Sequence, residues 1–63
     1  GSMLGGRMRI GRLVKHKTYK WVGLVLDWRH TGKFYPGIEL TIRRNNQTSY
    51  ADERNVEYLD ENG

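Results

Sequence analysis

No stretch of this chain repeats apolar side chains at helical spacing, whereas several short stretches repeat them every second residue. That pattern confines the fold to short strands. The densest stretch runs from Gly11 to Trp28, and within it Val22, Leu24, Leu26 and Trp28 alternate while Val25 adds an apolar side chain on the opposite face. This segment is predicted as the central strand of a sheet, with Trp28 sharing the inward parity of Leu24 and Leu26 and set deeper than Trp21. Gly23, inside the same run, predicts a bulge, a barrel corner or a close backbone approach.

The rest of the chain falls into place around that strand. Residues 10–16 form a first, loosely alternating strand, and residues 17–20, polar and aperiodic, form the loop that leads from it. Residues 29–37 carry Gly32, Pro36 and Gly37 as punctuation and are predicted as a loop bearing Phe34 and Tyr35. Ile38, Leu40 and Ile42 then alternate with Glu39, Thr41 and Arg43, the signature of a half-buried strand. Residues 45–47 make a turn, 48–51 a fourth strand, 52–55 a single 3₁₀ turn with Asp52 as its cap, and 56–59 a fifth strand. This order is that of a small five-stranded SH3-like barrel, all-β, over residues 9–60. Residues 1–8, opening on a Gly1-Ser2 tag scar, and residues 61–63 are expected to be disordered.

Sixty-three residues leave room for one compact core, in which Trp28, Tyr50 and Tyr58 are the natural large members. With no cysteine, neither a disulfide nor a thiolate metal site is available, and no apolar run is long enough to span a bilayer. The expected setting is cytoplasmic, without membrane partner. Catalysis finds no support: the histidines are His16 and His30, the serines Ser2 and Ser49, and no nucleophile–base pairing is visible. His16, His30 and Asp27 are too sparse a set to predict a metal, and no cofactor motif is present.

Charge is unevenly spread. Residues 1–44 hold ten of the eleven Lys and Arg against Asp27 and Glu39, a net +8, and residues 45–63 carry a net −4. The positive residues are interleaved with aromatic ones, which fits phosphate neutralisation with stacking on bases. The predicted nucleic-acid contacts are Lys15, His16, Lys17, Lys20, Trp21, Arg29, Lys33 and Phe34. The same residues also suit a protein-interaction module, and the basic side chains suit plain solubility and edge protection. A monomer or small homo-oligomer is expected; an enzyme assembled only at the centre of an oligomer ranks last.

Residues 10–17 (Ile-Gly-Arg-Leu-Val-Lys-His-Lys), 19–27 (Tyr-Lys-Trp-Val-Gly-Leu-Val-Leu-Asp), the pair Phe34-Tyr35 and residues 50–58 (Tyr-Ala-Asp-Glu-Arg-Asn-Val-Glu-Tyr) together resemble the YccV-like, or HspQ, family of hemimethylated-DNA-binding domains. The resemblance spans nearly all of residues 10–59 and keeps their order. It implies an SH3-like barrel that binds hemimethylated DNA or, as in the family's heat-shock member, partners an ATP-dependent protease. The acidic insertion of the family before the aromatic pair is missing, and Pro36-Gly37 follows Tyr35, which marks a minimal or phage-encoded relative.

Overall fold

The computed structural model describes residues 9–32 and 37–59. The expectations for residues 1–8 and 61–63, and for Lys33 and Phe34, lie outside them. Five strands, β1 (Leu13–His16), β2 (Val22–Thr31), β3 (Gly37–Arg44), β4 (Gln47–Asp52) and β5 (Val56–Tyr58), form one antiparallel sheet in the order β4-β3-β2-β1-β5. Consecutive strands are neighbours, and the last returns beside the first. A 3₁₀ turn over Glu53–Asn55 joins β4 to β5, capped by Asp52, whose carboxylate accepts from the Arg54 N–H at 3.0 Å. That N–H first, and then the Arg54 guanidinium, hold the Asp52 carboxyl below its usual range.

Flat strands about 4.8 Å apart would place the two edges of this sheet roughly 19 Å from one another. Yet Ala51 of β4 and Val56 of β5, on opposite edges, share one buried cluster with Val14, Val25, Leu40 and Ile42. The sheet is therefore curled around its own core. The all-β class and the strand order are those expected, but the ladder does not close: among the described residues β4 and β5 do not pair, and the 3₁₀ turn bridges their seam.

The parity of β2 differs from the sequence expectation. Gly23 and Val25 are buried, while Val22, Leu24 and Leu26 are exposed. Gly23 decides this register. A Cβ there would collide with Ile42 Cγ2 and lie 2.8 Å from the Arg43 carbonyl oxygen, so only glycine can face β3 at this point. The ladder then slips between Val25 and Asp27, and the extra residue returns Trp28 to the core side, half-buried like Trp21.

Three further boundaries move. Residues 9–12 form a turn rather than strand, with the Arg12 N–H bonded to Arg9 O and Gly11 at φ +90°. At the other end, Arg29, His30 and Thr31 continue β2 because Glu39, Ile38 and Gly37 supply them a ladder partner. Arg29 and Glu39 add an ion pair at 2.9 Å. Polar side chains on both faces read as loop because this end of the hairpin runs past the core. The β3–β4 turn contracts to Asn45-Asn46, with Asn45 at φ +50°.

The seam is fastened by side chains. Glu53 Oε2 accepts from Arg9 Nε at 2.8 Å and from the Tyr58 hydroxyl at 2.6 Å. Arg9 also lies 4.7 Å over the Trp28 ring, and Arg12 lies 4.2 Å over Tyr58. Both arginines thus bind the protein's own aromatic rings. Burial alone would raise the Glu53 carboxyl, but the hydrogen bonds from Arg9 and Tyr58 bring it below the ordinary 4.5. Burial, then the hydrogen bond to Glu53 and its charge, push Tyr58 up to about 12.

The signs give two limbs. A lowered carboxyl contributes stability that is present above about pH 4.5 and lost as pH falls through its folded value. A raised phenol contributes stability that is present below 10.0 and lost as pH rises toward about 12. Urea titrations across pH should show a plateau between these limits, and Tyr58→Phe should shrink the alkaline decline. An unchanged alkaline decline in that variant would show that Tyr58 does not cause it.

Candidate nucleic-acid interface

The site begins with a four-residue loop. His16 and Trp21 close it, with the His16 N–H bonded to Trp21 O at 2.8 Å and the Lys20 N–H to His16 O at 2.9 Å. Lys20 takes a left-handed φ of 68°. Inside the loop, His16 Nδ1 accepts from the backbone N–H groups of Thr18 and Tyr19, both at 3.1 Å. This places the ring proton on Nε2. His16 is only 8% exposed. Its role is to organise the loop, which corrects its expected place among the phosphate contacts.

His16→Ala should cost about 1–2 kcal/mol by stranding two half-buried donors. His16→Asn should recover part of that loss, because the Asn side-chain oxygen can stand where Nδ1 accepts. Thermal melts of the two variants check this; equal losses would show that ring packing, not the hydrogen bonds, is what the loop needs.

The loop forms one wall of an open groove of about 590 Å³, lined by His16, Tyr19, Trp21, Arg44, Ser49 and Tyr50. Trp21 is its half-buried floor, with the Arg44 guanidinium 4.5 Å over its ring and His16 at 5.1 Å. Arg44 also reaches Ser49 Oγ at 3.4 Å. The rims are aromatic: Tyr19 is 73% exposed and Tyr50 62%. Among the described residues no carboxylate lines this groove. A planar π system could therefore lie against Tyr19 or Tyr50 while an anionic group meets Arg44, with Lys17 and Lys20 exposed on the adjoining loop.

Tyr50 was expected in the core, and the structure corrects this. Ala51 is the inward residue of β4, so Tyr50 faces outward opposite Thr41. There it also borders a second concavity of about 380 Å³ with Arg29, Glu39 and Thr41. The two hollows meet at this one ring.

The predicted contacts are thus only partly gathered. Trp21 lines the groove, and Lys17 and Lys20 are exposed on the loop beside it. Lys15 lies on the outer face of β1, opposite Val22 and Glu57. Arg29 stands nine residues beyond Lys20, roughly 30 Å along an extended strand, and pairs with Glu39 beside the second hollow. Sequence reasoning missed Tyr19, Arg44, Ser49 and Tyr50 as site residues; the small Ala51, marking the inward parity of β4, was the signal that could have exposed Tyr50. Among the described residues no group of three or more His, Asp or Glu could hold a metal ion, and no helix is long and apolar enough to cross a membrane.

Fold and groove together define a small all-β protein with an aromatic, cationic groove beside its first hairpin. Comparison with protein-family models, with curated proteins and with solved structures finds no match to this chain.

Proposed function

We propose that this protein is a non-enzymatic nucleic-acid-binding module that grips unpaired bases of DNA in the groove between the β1–β2 loop and β4. The observation that carries the reading is the composition of the groove: exposed Tyr19 and Tyr50 around Arg44, with no carboxylate among the described residues of the lining. Aromatic faces stack on any base, and guanidinium and ammonium groups neutralise phosphates. A cage for a cationic ligand would need the reverse electrostatics. The second hollow extends the track across Tyr50 toward Arg29. The resemblance to hemimethylated-DNA-binding domains supports the same partner class, and a cysteine-free chain suits the cytoplasm.

Tryptophan emission reports on this directly, since Trp21 floors the groove. Titration with a single-stranded oligonucleotide should saturate, and with Lys17, Lys20 and Arg44 engaged the salt slope should be about −2, or roughly twentyfold weaker binding between about 50 and 200 mM salt. Unmethylated and hemimethylated duplexes form the comparison arms. No saturable binding to any of the three at low salt would remove the reading. A protein-interaction module is the second reading, favoured by the same two exposed tyrosines; it predicts that binding to its partner changes little with salt.

A further inference from the structure

The inverted parity of β2 has an energetic cost that the groove does not explain. Leu24, Leu13 and Leu59 form one cross-strand row: Leu13 pairs with Leu24, and the Leu59 N–H bonds to Leu13 O at 2.9 Å. Val22 and Leu26 flank the row along β2, and Ile10 sits in the turn whose Gly11 N–H bonds to Val25 O. These six aliphatic side chains are each between 37% and 50% exposed. Among the described residues, as many large or β-branched aliphatics are thus left outside as there are residues in the buried core. Their exposed surface is roughly 450 Å², within the range of the largest apolar patch on a typical monomer, where such patches are often functional. None of the six lines the groove.

We propose that the outer face of β2, β1 and β5 is covered in solution by a second copy of this chain. Three features point to a copy rather than another partner. With its rim of Lys15, Asp27, Arg43 and Glu57, the face approaches the about 800 Å² per partner of a standard interface. The rim is also self-complementary. Arg43 lies on the β3 flank, opposite Leu24, and Glu57 lies on the β5 flank, opposite Lys15. A two-fold axis running along the strands between Leu13 and Leu24 stacks each Leu13 on Leu24 of the other copy. It also brings each Arg43 toward the opposing Glu57. Finally, the buried core counts six residues among the described ones, few for a free-standing domain, and association is a common remedy at this size. The grooves remain open on both copies, so a dimer presents two binding sites to one strand.

Sedimentation equilibrium from micromolar to millimolar protein tests this, with circular dichroism confirming the fold of each variant. The wild type should dimerise. Leu24→Glu should weaken association on the order of a hundredfold, because it places a charge at the centre of the apolar row. Leu59→Glu, in the turn after β5, should do the same and serves if the first variant does not fold. Arg43→Glu and Glu57→Arg should each weaken the dimer, and the double variant should regain most of the loss. A wild type that stays monomeric throughout would overturn the proposal, and so would a dimer indifferent to both leucine variants. A monomer that binds phospholipid vesicles through the same leucines would instead assign the face to lipid.

Discussion

Replacing Gly23 by alanine is expected to remove a large share of the folding stability of the protein. The added methyl would meet Ile42 Cγ2 and stand 2.8 Å from the Arg43 carbonyl oxygen. Neither neighbour can yield readily: Ile42 is fully buried, and the carbonyl belongs to the backbone of β3. Overpacking of this kind costs about 2–3 kcal/mol. A chain of this length has only about 3–9 kcal/mol in total, so the melting temperature should fall by roughly 15–20 °C.

Gly11→Ala supplies the control. Its φ of +90° disfavours a side chain, but nothing lies within 4 Å of the new methyl. That change should cost about 1 kcal/mol from backbone strain alone. If Gly23→Ala melts no lower than Gly11→Ala, β2 does not approach β3 as closely as described, and the inward register of Gly23 and Val25 is wrong.

The same glycine shows why the sequence discloses this fold better than its faces. Alternation in β3 was legible because Ile38, Leu40 and Ile42 face one core and Glu39, Thr41 and Arg43 face away, so period and burial agree. The Asp52 cap and the 3₁₀ turn were legible because they depend on residues adjacent in sequence. In β2 both parities are apolar, and hydrophobicity alone selects the row with more members. Burial goes instead to the row that holds Gly23, since steric closeness to β3 outranks apolar area there. The slip at Leu26 then changes the phase once more, a tertiary event with no local signature.

The site was half legible for a related reason. Basic and aromatic residues in the first hairpin are contiguous, so Lys17, Lys20 and Trp21 could be grouped from sequence. Arg44, Ser49 and Tyr50 come from the next hairpin and join them because the end of β3 pairs with the start of β2 and β4 pairs with β3. His16 looked like a contact and is a scaffold, because its ring nitrogen is occupied by the backbone two and three residues on. Arg9 and Arg12 add to the positive charge of residues 1–44, yet the seam and its aromatic rings engage both guanidinium groups.

Tyr50→Ala should weaken binding to a single-stranded oligonucleotide roughly ten- to hundredfold, the loss of about 1–3 kcal/mol that one base–aromatic stack contributes. The fold should be undisturbed, because the ring is 62% exposed and sits on an edge strand. Arg44→Gln should act differently. Removing one phosphate partner lowers the salt slope by about 0.7, so its penalty is large at low salt and fades as salt rises, whereas the Tyr50 penalty persists at every concentration. Arg29→Gln separates a short track from a long one. If the strand crosses Tyr50 into the second hollow, this change weakens a long oligonucleotide and spares one that fills the first groove alone. A protein ligand would reverse the pattern, with truncation of Tyr19 or Tyr50 costly and loss of the Lys17, Lys20 or Arg44 charge nearly silent. If Tyr50→Ala binds the single strand as tightly as the wild type, the two hollows are not joined by a stacked base, and the groove does not bind nucleic acid in the way its chemistry indicates.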